Sequence, residues 1–219
     1  MSTPTTTEIE RLGAVPTASI SDALDRLGLS GQLLGIAPLQ PGRRVCGPAF
    51  TVSYEPITDE PGTVGDFLDD VEPGSVVVID NDGRLDCTVW GGIMTGTAHA
   101  RGIAATVVHG ACRDVAVAVE TGYPIWSTSR YMRTGKDRVR MVATGRELSI
   151  GCSTVKPGDL ICGDSDGVLA VAAERVTEVL GLAEQIEATE TRIVEAVRAG
   201  SSLRDARAEL GYHSLQTQR

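Results

Sequence analysis

The middle of the chain carries two uninterrupted apolar runs of strand length, Ser75-Val-Val-Val-Ile-Asp80 and Ala104-Ala-Thr-Val-Val108. Unbroken runs of this kind mark strands covered on both faces, because a half-exposed strand alternates apolar and polar positions. Residues 92–101 and 113–121 read as helices that stop at Gly102 and Gly122. Residues 124–127 form a further short strand. Strand, helix, strand and helix in this order predict parallel strands joined by right-handed crossovers.

The flanks are less regular. Residues 9–15 read as a short helix stopped near Pro16, and Ser19-Ile-Ser-Asp22 reads as the capping box of a second, whose apolar stripe Ala23, Leu24 and Leu27 ends at Gly28. A loop rich in Gly and Pro follows, then a strand at 49–54 and a short helix at 64–70. The more polar stretch 139–150 predicts antiparallel strands, with further strands at 160–162 and 168–171. Residues 174–199 form a long charged helix ended by Gly200, and 201–210 a last short one. In the long helix Ile186, Ile193 and Val197 follow helical spacing, so a stripe packs on protein while the acids face mostly outward. No linker divides the chain, which predicts one α/β domain over 1–219 with a helical C-terminal part from about 174.

Composition narrows the class. With 219 residues, 42% apolar and 22% charged, the chain is ordinary globular protein, long enough to bury a core without disulfides or a structural metal. The longest apolar run is the six residues 168–173, far short of a membrane span, and MSTPTTTEIE lacks the basic and apolar regions of a secretory signal. Twenty Lys and Arg stand against 29 Asp and Glu, a net charge of −9. That is the wrong sign for a nucleic-acid binder, and no basic cluster is expected to offset it. The five cysteines, Cys46, Cys87, Cys112, Cys152 and Cys162, include no C-x-x-C pair; they read as small buried hydrophobes in a protein of the reducing cytoplasm.

One sequence echo tempts a metal assignment. Pro73 to Gly83 and Pro157 to Gly167 both read PG-x5-D-x-D-G. A calcium loop of the EF-hand type needs Glu at its twelfth position, which is Gly91 counted from Asp80 and Arg175 counted from Asp164. The segments therefore read as Asx and Gly turns at strand ends.

Two strand-to-helix junctions carry the candidate chemistry. At Trp90-Gly91-Gly92-Ile93-Met94, paired glycines leave backbone N–H groups bare at a helix start, a ready anion site. Neither a dinucleotide fingerprint nor a P-loop is present. At His109-Gly110-Ala111-Cys112-Arg113-Asp114, Arg113 offers a planar fork for an oxo or carboxylate group, and Asp114 offers a hard oxygen for Mg²⁺ or Mn²⁺, at the carboxyl edge of a strand where ligands of α/β sheets bind. A packing turn at the first junction and a helix cap with a local ion pair at the second are the alternatives.

Together the junctions form G-x20-R-D from Gly92 to Asp114. This spacing resembles the class II pyruvate aldolases typified by 4-hydroxy-4-methyl-2-oxoglutarate aldolase, a superfamily that also holds the regulator of ribonuclease activity A. Matching segments run through nearly the whole chain: Ser19-Ile-Ser-Asp22-Ala23-Leu24, Gly47-Pro48-Ala49-Phe50-Thr51-Val52, Pro73-Gly74, Trp90-Gly91, Gly110, Arg113-Asp114, Pro157-Gly158-Asp159 and Asp164-Ser-Asp-Gly-Val168. The resemblance implies a swivelling β/β/α-type fold with a mixed central sheet, assembled as trimers or hexamers with active sites between subunits. It implies that Asp114 ligands a divalent metal, that Arg113 holds the C2 oxygen of a pyruvyl group, and that the amides of Gly91, Gly92, Ile93 and Met94 bind the substrate carboxylate. It further implies that Glu190 of the C-terminal helical region, with Glu187 as second candidate, completes a neighbour's site. The implied activity is a metal-dependent lyase that forms a pyruvate enolate from a 2-oxo acid, by retro-aldol cleavage or by oxaloacetate-type decarboxylation.

The sequence departs from that pattern at two places. Gly92 stands where an Asp or Glu is common, a carboxylate that helps order metal-bound water; Asp86 and His109 are the candidates to replace it. His109 stands where Asp or Asn is common and otherwise reads as a strand-end residue. His99 reads as a helix-surface residue, His213 as a tail residue, and Cys112 as packing. A non-catalytic regulator that binds a protein partner is the alternative from another class, favoured by Gly92 and disfavoured by Arg113, Asp114 and the glycine loop.

Overall fold

The computed structural model describes residues 4–58 and 65–212. Eleven strands and six α-helices are formed among them. In chain order they are α1 (Thr6–Ala14), α2 (Thr17–Arg26), β1 (Ala37–Pro38), β2 (Val45–Pro56), β3 (Val76–Asp80), β4 (Thr88–Trp90), α3 (Gly92–Ala100), β5 (Ala105–Cys112), α4 (Val115–Thr121), β6 (Ile125–Arg130), β7 (Val139–Thr144), β8 (Leu148–Ile150), β9 (Ser153–Val155), β10 (Leu160–Gly163), β11 (Val168–Val171), α5 (Val176–Arg198) and α6 (Leu203–Glu209). The short helix expected at 64–70 is a 3₁₀ turn, Asp66–Asp70, and Val64 lies outside the described residues.

Nine strands form one mixed sheet. Its main path runs β1-β6-β5-β3-β2-β10-β11, with β4 added beside β5 and β7 beside β2. The predicted parallel unit is present: β2, β3, β5 and β6 pair in parallel, and β4 pairs in parallel with β5. The stretch 139–150 is antiparallel, β7 against β2 and β8 against β9. The fold is thus a mixed α/β architecture with C-terminal helices.

The continuous apolar run of β3 is explained by its neighbours. Val77 and Ile79 face one cluster with Ala98 of α3, Ala118 of α4 and Trp90, while Val76 and Val78 face another with Trp126, Ile150, Val155 and Ile161. A third cluster packs α1, α2 and α5 on β10 and β11 through Leu12, Ile20, Leu24, Leu160, Val171, Val179 and Ile186. Among the described residues no helix is long and apolar enough to cross a membrane.

Three local expectations need correction. The second helix does not start at Ser19: it starts at Thr17, behind Pro16, and Ser19 is buried within it, donating from Oγ to Glu187 Oε2 of α5 at 2.6 Å. A capping box does exist, but on α1, between Thr5 and Glu8. β5 runs on past residue 108 to Cys112, so His109 lies inside the strand, its Nδ1 2.8 Å from Asp80 Oδ1. On α5, Ile186 and Ile193 are buried as expected, but Val197 is exposed. Of the helix acids, Glu184 pairs with Arg11 and Glu178 with Arg175. His99 lies exposed on α3, and His213 lies outside the described residues.

The echoed D-x-D-G segments are turns. Asp80 Oδ1 accepts from the Asp82 amide and Asp164 Oδ1 from the Asp166 amide, both at 2.9 Å. Asp164 does more, because it is buried and also accepts from Thr17 N at 2.9 Å and Thr17 Oγ1 at 2.6 Å, capping α2 from across the chain. Burial pushes its carboxyl pKa up, but these hydrogen bonds outweigh burial and hold it below the ordinary value. A carboxyl held down in the folded state adds stability above its unfolded pKa and loses it as pH falls through the folded one. Asp164→Asn should therefore cost about 1–3 kcal/mol at pH 7. The deficit should shrink as pH falls through the carboxylate range, measured by urea unfolding at a series of pH values.

Candidate active site

Strand pairing places the two junctions side by side. The end of β4 lies against the end of β5, with Trp90 opposite Cys112, and the Arg113 amide donates to the Trp90 carbonyl at 2.9 Å. Both chains then turn into helices at the same sheet edge. Gly91-Gly92 opens α3 beside Arg113-Asp114, which opens α4. The β4–α3 turn is tied by Thr95, whose Oγ1 accepts from Trp90 Nε1 at 2.9 Å and donates to the Gly91 carbonyl at 3.1 Å.

Asp114 holds this junction in an unusual conformation. Its backbone is left-handed, φ 57° and ψ 40°, and its Oδ2 accepts from the Gly92 amide at 2.8 Å. Arg113 Nε lies 3.6 Å from the same oxygen. Gly91 keeps the turn close to both side chains: a Cβ there would meet Asp114 Oδ2 at 2.9 Å and Arg113 Nε at 3.1 Å, so those side chains would have to shift. α3 has no side-chain cap, so the amides of Ile93 and Met94 in its first turn stay open to an anion.

These groups border a cleft of ≈ 560 Å³. Gly91, Gly92, Ile93, Met94, Arg113 and Asp114, all expected from the sequence, line it together. Glu190 does not; it sits on α5, half-buried, its carboxyl pKa raised by burial and then by the charges of Asp22 and Glu187. Neither stand-in for the missing carboxylate at Gly92 reaches the cleft lining. Asp86 is tied to Arg84 through contacts of 3.1 and 3.0 Å, which holds its pKa down, and His109 is tied to Asp80. Cys112 is buried, donates weakly to Ser127 Oγ at 3.4 Å and has its thiol pKa pushed up by burial, so it is packing as expected.

Two charged lining residues were missed from the sequence. Asp66, at the start of the 3₁₀ turn, supplies a second carboxylate, and Lys136, in the loop between β6 and β7, supplies a second cation. A signal for the second was legible: residues 130–140 hold Arg130, Arg133, Lys136, Arg138 and Arg140 against Asp137 alone, a basic cluster in an acidic chain, contrary to the expectation of none.

The donor set bears on a metal. Among the described residues no group of three or more His, Cys, Asp or Glu is placed to hold an ion. Asp114 keeps Oδ1 outside its bond to Gly92, in an open cleft. That suits a hard divalent cation which retains most of its water, rather than a caged one.

Comparison with known proteins gives a consistent family. The model described as "RraA-like: Aldolase/RraA" matches residues 17–170. The protein DlpA of Legionella pneumophila is 44% identical over 200 residues, 90% of this chain, and this chain spans only 32% of that protein's length. A protein of Halalkalibacterium halodurans named "Putative 4-hydroxy-4-methyl-2-oxoglutarate aldolase" is 33% identical over 180 residues, 82% of this chain and 83% of that protein. An uncharacterized protein from Pseudomonas syringae pv. tomato has a crystal structure that superposes with a TM-score of 0.89 at 41% identity, covering 94% of this chain and all of the other. The sequence motifs, the mixed sheet and the family match over 17–170 agree: the chain belongs to the RraA-like family, Aldolase/RraA.

Proposed function

We propose that the cleft is the active site of a carbon–carbon lyase, dependent on Mg²⁺ or Mn²⁺, that forms a pyruvate enolate from a 2-oxo acid. The reaction is retro-aldol cleavage of the 4-hydroxy-4-methyl-2-oxoglutarate type, oxaloacetate-type decarboxylation, or both, since the two share one enolate. The observation that carries this reading is the convergence of open helix amides, Arg113 and Asp114 on one cleft.

The residues divide the work. The amides of Ile93 and Met94 receive the C1 carboxylate. Asp114 would hold the divalent ion, which supplies Lewis-acid polarisation of the 2-oxo group when bound. Arg113, whose guanidinium lines the cleft beside Asp114, supplies positive charge where negative charge develops on the C2 oxygen. The C3–C4 bond breaks and its electron pair passes into the enolate; in the aldol branch the C4 hydroxyl gives up its proton as C4 becomes a carbonyl, in the other C4 leaves as CO₂, and C3 then takes a proton. Asp66 is the remaining carboxylate of the cleft lining among the described residues, and we assign it the proton relay that a side chain at Gly92 does not supply. A non-catalytic regulator of a ribonuclease is the second reading, favoured by Gly92.

Decarboxylation of oxaloacetate, followed with Mg²⁺, with Mn²⁺ and with a chelator, separates the two readings. Asp114→Ala should abolish metal-dependent turnover while the melting temperature changes little, because the Asp114 side chain is about half exposed. Normal turnover in that variant at saturating Mg²⁺ removes the lyase reading. Asp66→Asn should lower kcat by about a hundredfold with a small change in KM; an unchanged kcat moves the proton relay elsewhere.

Glu190 belongs to the same proposal through assembly. Standing away from its own cleft, with its carboxyl pKa raised by burial and by the charges of Asp22 and Glu187, it is assigned to the cleft of a neighbour in a homotrimer or hexamer. Inactive Glu190→Ala and inactive Asp114→Ala proteins, mixed under conditions that exchange subunits, should then regain part of the activity. An active monomer by light scattering overturns the shared site.

A further inference from the structure

We propose that Cys46 and Cys162 are an oxidisable pair, which a hydroperoxide converts to an intrachain disulfide tying β2 to β10. The pair lies outside the cleft lining, and the inference goes beyond the lyase reading without resting on it.

The first support is register. β2 and β10 run antiparallel, with Cys46 directly opposite Cys162. Next to this stretch the Ala49 amide donates to the Asp159 carbonyl at 2.8 Å, so residues 49 and 159 are a hydrogen-bonded pair. Hydrogen-bonded and non-hydrogen-bonded pairs alternate along an antiparallel ladder, which makes 46 and 162 a non-hydrogen-bonded pair. Such partners stand about 4.5 Å apart at Cα, with their side chains at closest approach, and a disulfide accepts Cα separations of about 4.4–6.8 Å. The two Sγ atoms are already in contact at 3.5 Å, although the residues lie 116 positions apart in sequence.

The second support is that both strands are held in place from outside. α1 crosses directly over the pair: a Cβ on Gly13 would stand 3.0 Å from Cys46 Cβ. Arg44 Nη1 donates to the Ala14 carbonyl at 2.9 Å and fixes the end of that helix beside β2. Behind β10, a Cβ on Gly163 would meet the Trp126 ring at 2.9 Å, and Trp126 Nε1 donates to the Asp164 carbonyl at 2.9 Å. Two thiols held in register react as an intramolecular pair, without first giving up translational freedom.

The third support is a division of exposure. Cys46 is half-buried and Cys162 is buried, its thiol pKa raised well above the ordinary value by the contact with Cys46 and then by burial. Cys46 is therefore the thiol that an oxidant reaches, and Cys162 is the partner that resolves the product. Cys46 takes one oxygen from the hydroperoxide to become a sulfenic acid, and the alcohol or water of the reagent leaves. The Cys162 sulfur then attacks the Cys46 sulfur. The S–O bond breaks, hydroxide leaves with the Cys162 proton as water, and the S–S bond remains. Cys112 contacts Ser127 Oγ instead of a second sulfur. Among the described residues no group of three or more His, Cys, Asp or Glu is placed to hold an ion, which leaves the pair its own redox chemistry.

The test treats the reduced native protein with hydrogen peroxide, then digests it at acid pH and maps the peptides by mass spectrometry. One peptide joining Cys46 to Cys162 should appear, lighter by two hydrogens than its separate parts, and dithiothreitol should abolish it. The oxidised protein should melt about 5–10 °C above the reduced one, because the bond closes a long loop and restricts the unfolded chain. Cys46→Ser should melt near the reduced parent and lose the peroxide-dependent gain. A Cys46 sulfinic acid with Cys162 still a thiol, a linkage to another cysteine, or a Cys46–Cys162 peptide that forms only in urea overturns the proposal.

Discussion

The site depends on one short stretch of parallel pairing, in which β4 and β5 end together and release two helices at the same edge of the sheet. Trp90 opposite Cys112 and the Arg113 amide on the Trp90 carbonyl set that alignment. The local conformation it demands is unfavourable in isolation. A left-handed Asp costs of order 1 kcal/mol, since its Cβ crowds the following carbonyl. The bond from the Gly92 amide to the half-exposed Asp114 carboxylate contributes about 0.5–1 kcal/mol and so roughly offsets that cost. The same bond leaves Asp114 with one oxygen committed to the turn and the other outside it, at the cleft. Glycine at 91 favours it, because a Cβ there would crowd the side chains of Asp114 and Arg113.

Much of the fold was legible because the signals were local. A run such as Val76 to Ile79 reads as a doubly covered strand whatever lies around it, and both covering layers are present. Helix ends marked by Gly102, Gly122 and Gly200 were equally local. The misread elements were settled by distant partners. Ser19 has the chemistry of a cap, but Pro16 begins the helix earlier and Glu187, far along the chain, takes the Ser19 hydroxyl. His109 looked like the end of a strand because the apolar run stops at Val108, yet Asp80 on the adjacent strand satisfies the imidazole and the strand continues.

The site divides in the same way. Gly91 to Met94 and Arg113-Asp114 were visible because each lies within a few residues of a strand end. Asp66 was not, and Lys136 was legible only as part of a basic cluster, because only the tertiary path of the chain brings them to the cleft: a 3₁₀ turn before β3 in one case, a loop bridged to Thr88 in the other. The echoed aspartates show the reverse error avoided. Asp80 and Asp164 carry the spacing of a cation loop, and their carboxylates are spent on backbone amides two residues ahead, with Asp164 further committed to Thr17.

Gly92 is best understood through charge. A Cβ at that position would lie 3.2 Å from both Asp114 Cβ and Val117 Cγ2, so an acidic side chain there would set a second carboxylate against the first. Two carboxylates that close repel, and one of them gives up its charge or draws in a cation. With glycine instead, the charged groups of the cleft lining among the described residues are Arg113 and Lys136 against Asp66 and Asp114, and no second carboxylate from position 92 competes with Asp114 for the Gly92 amide or for a neighbouring cation.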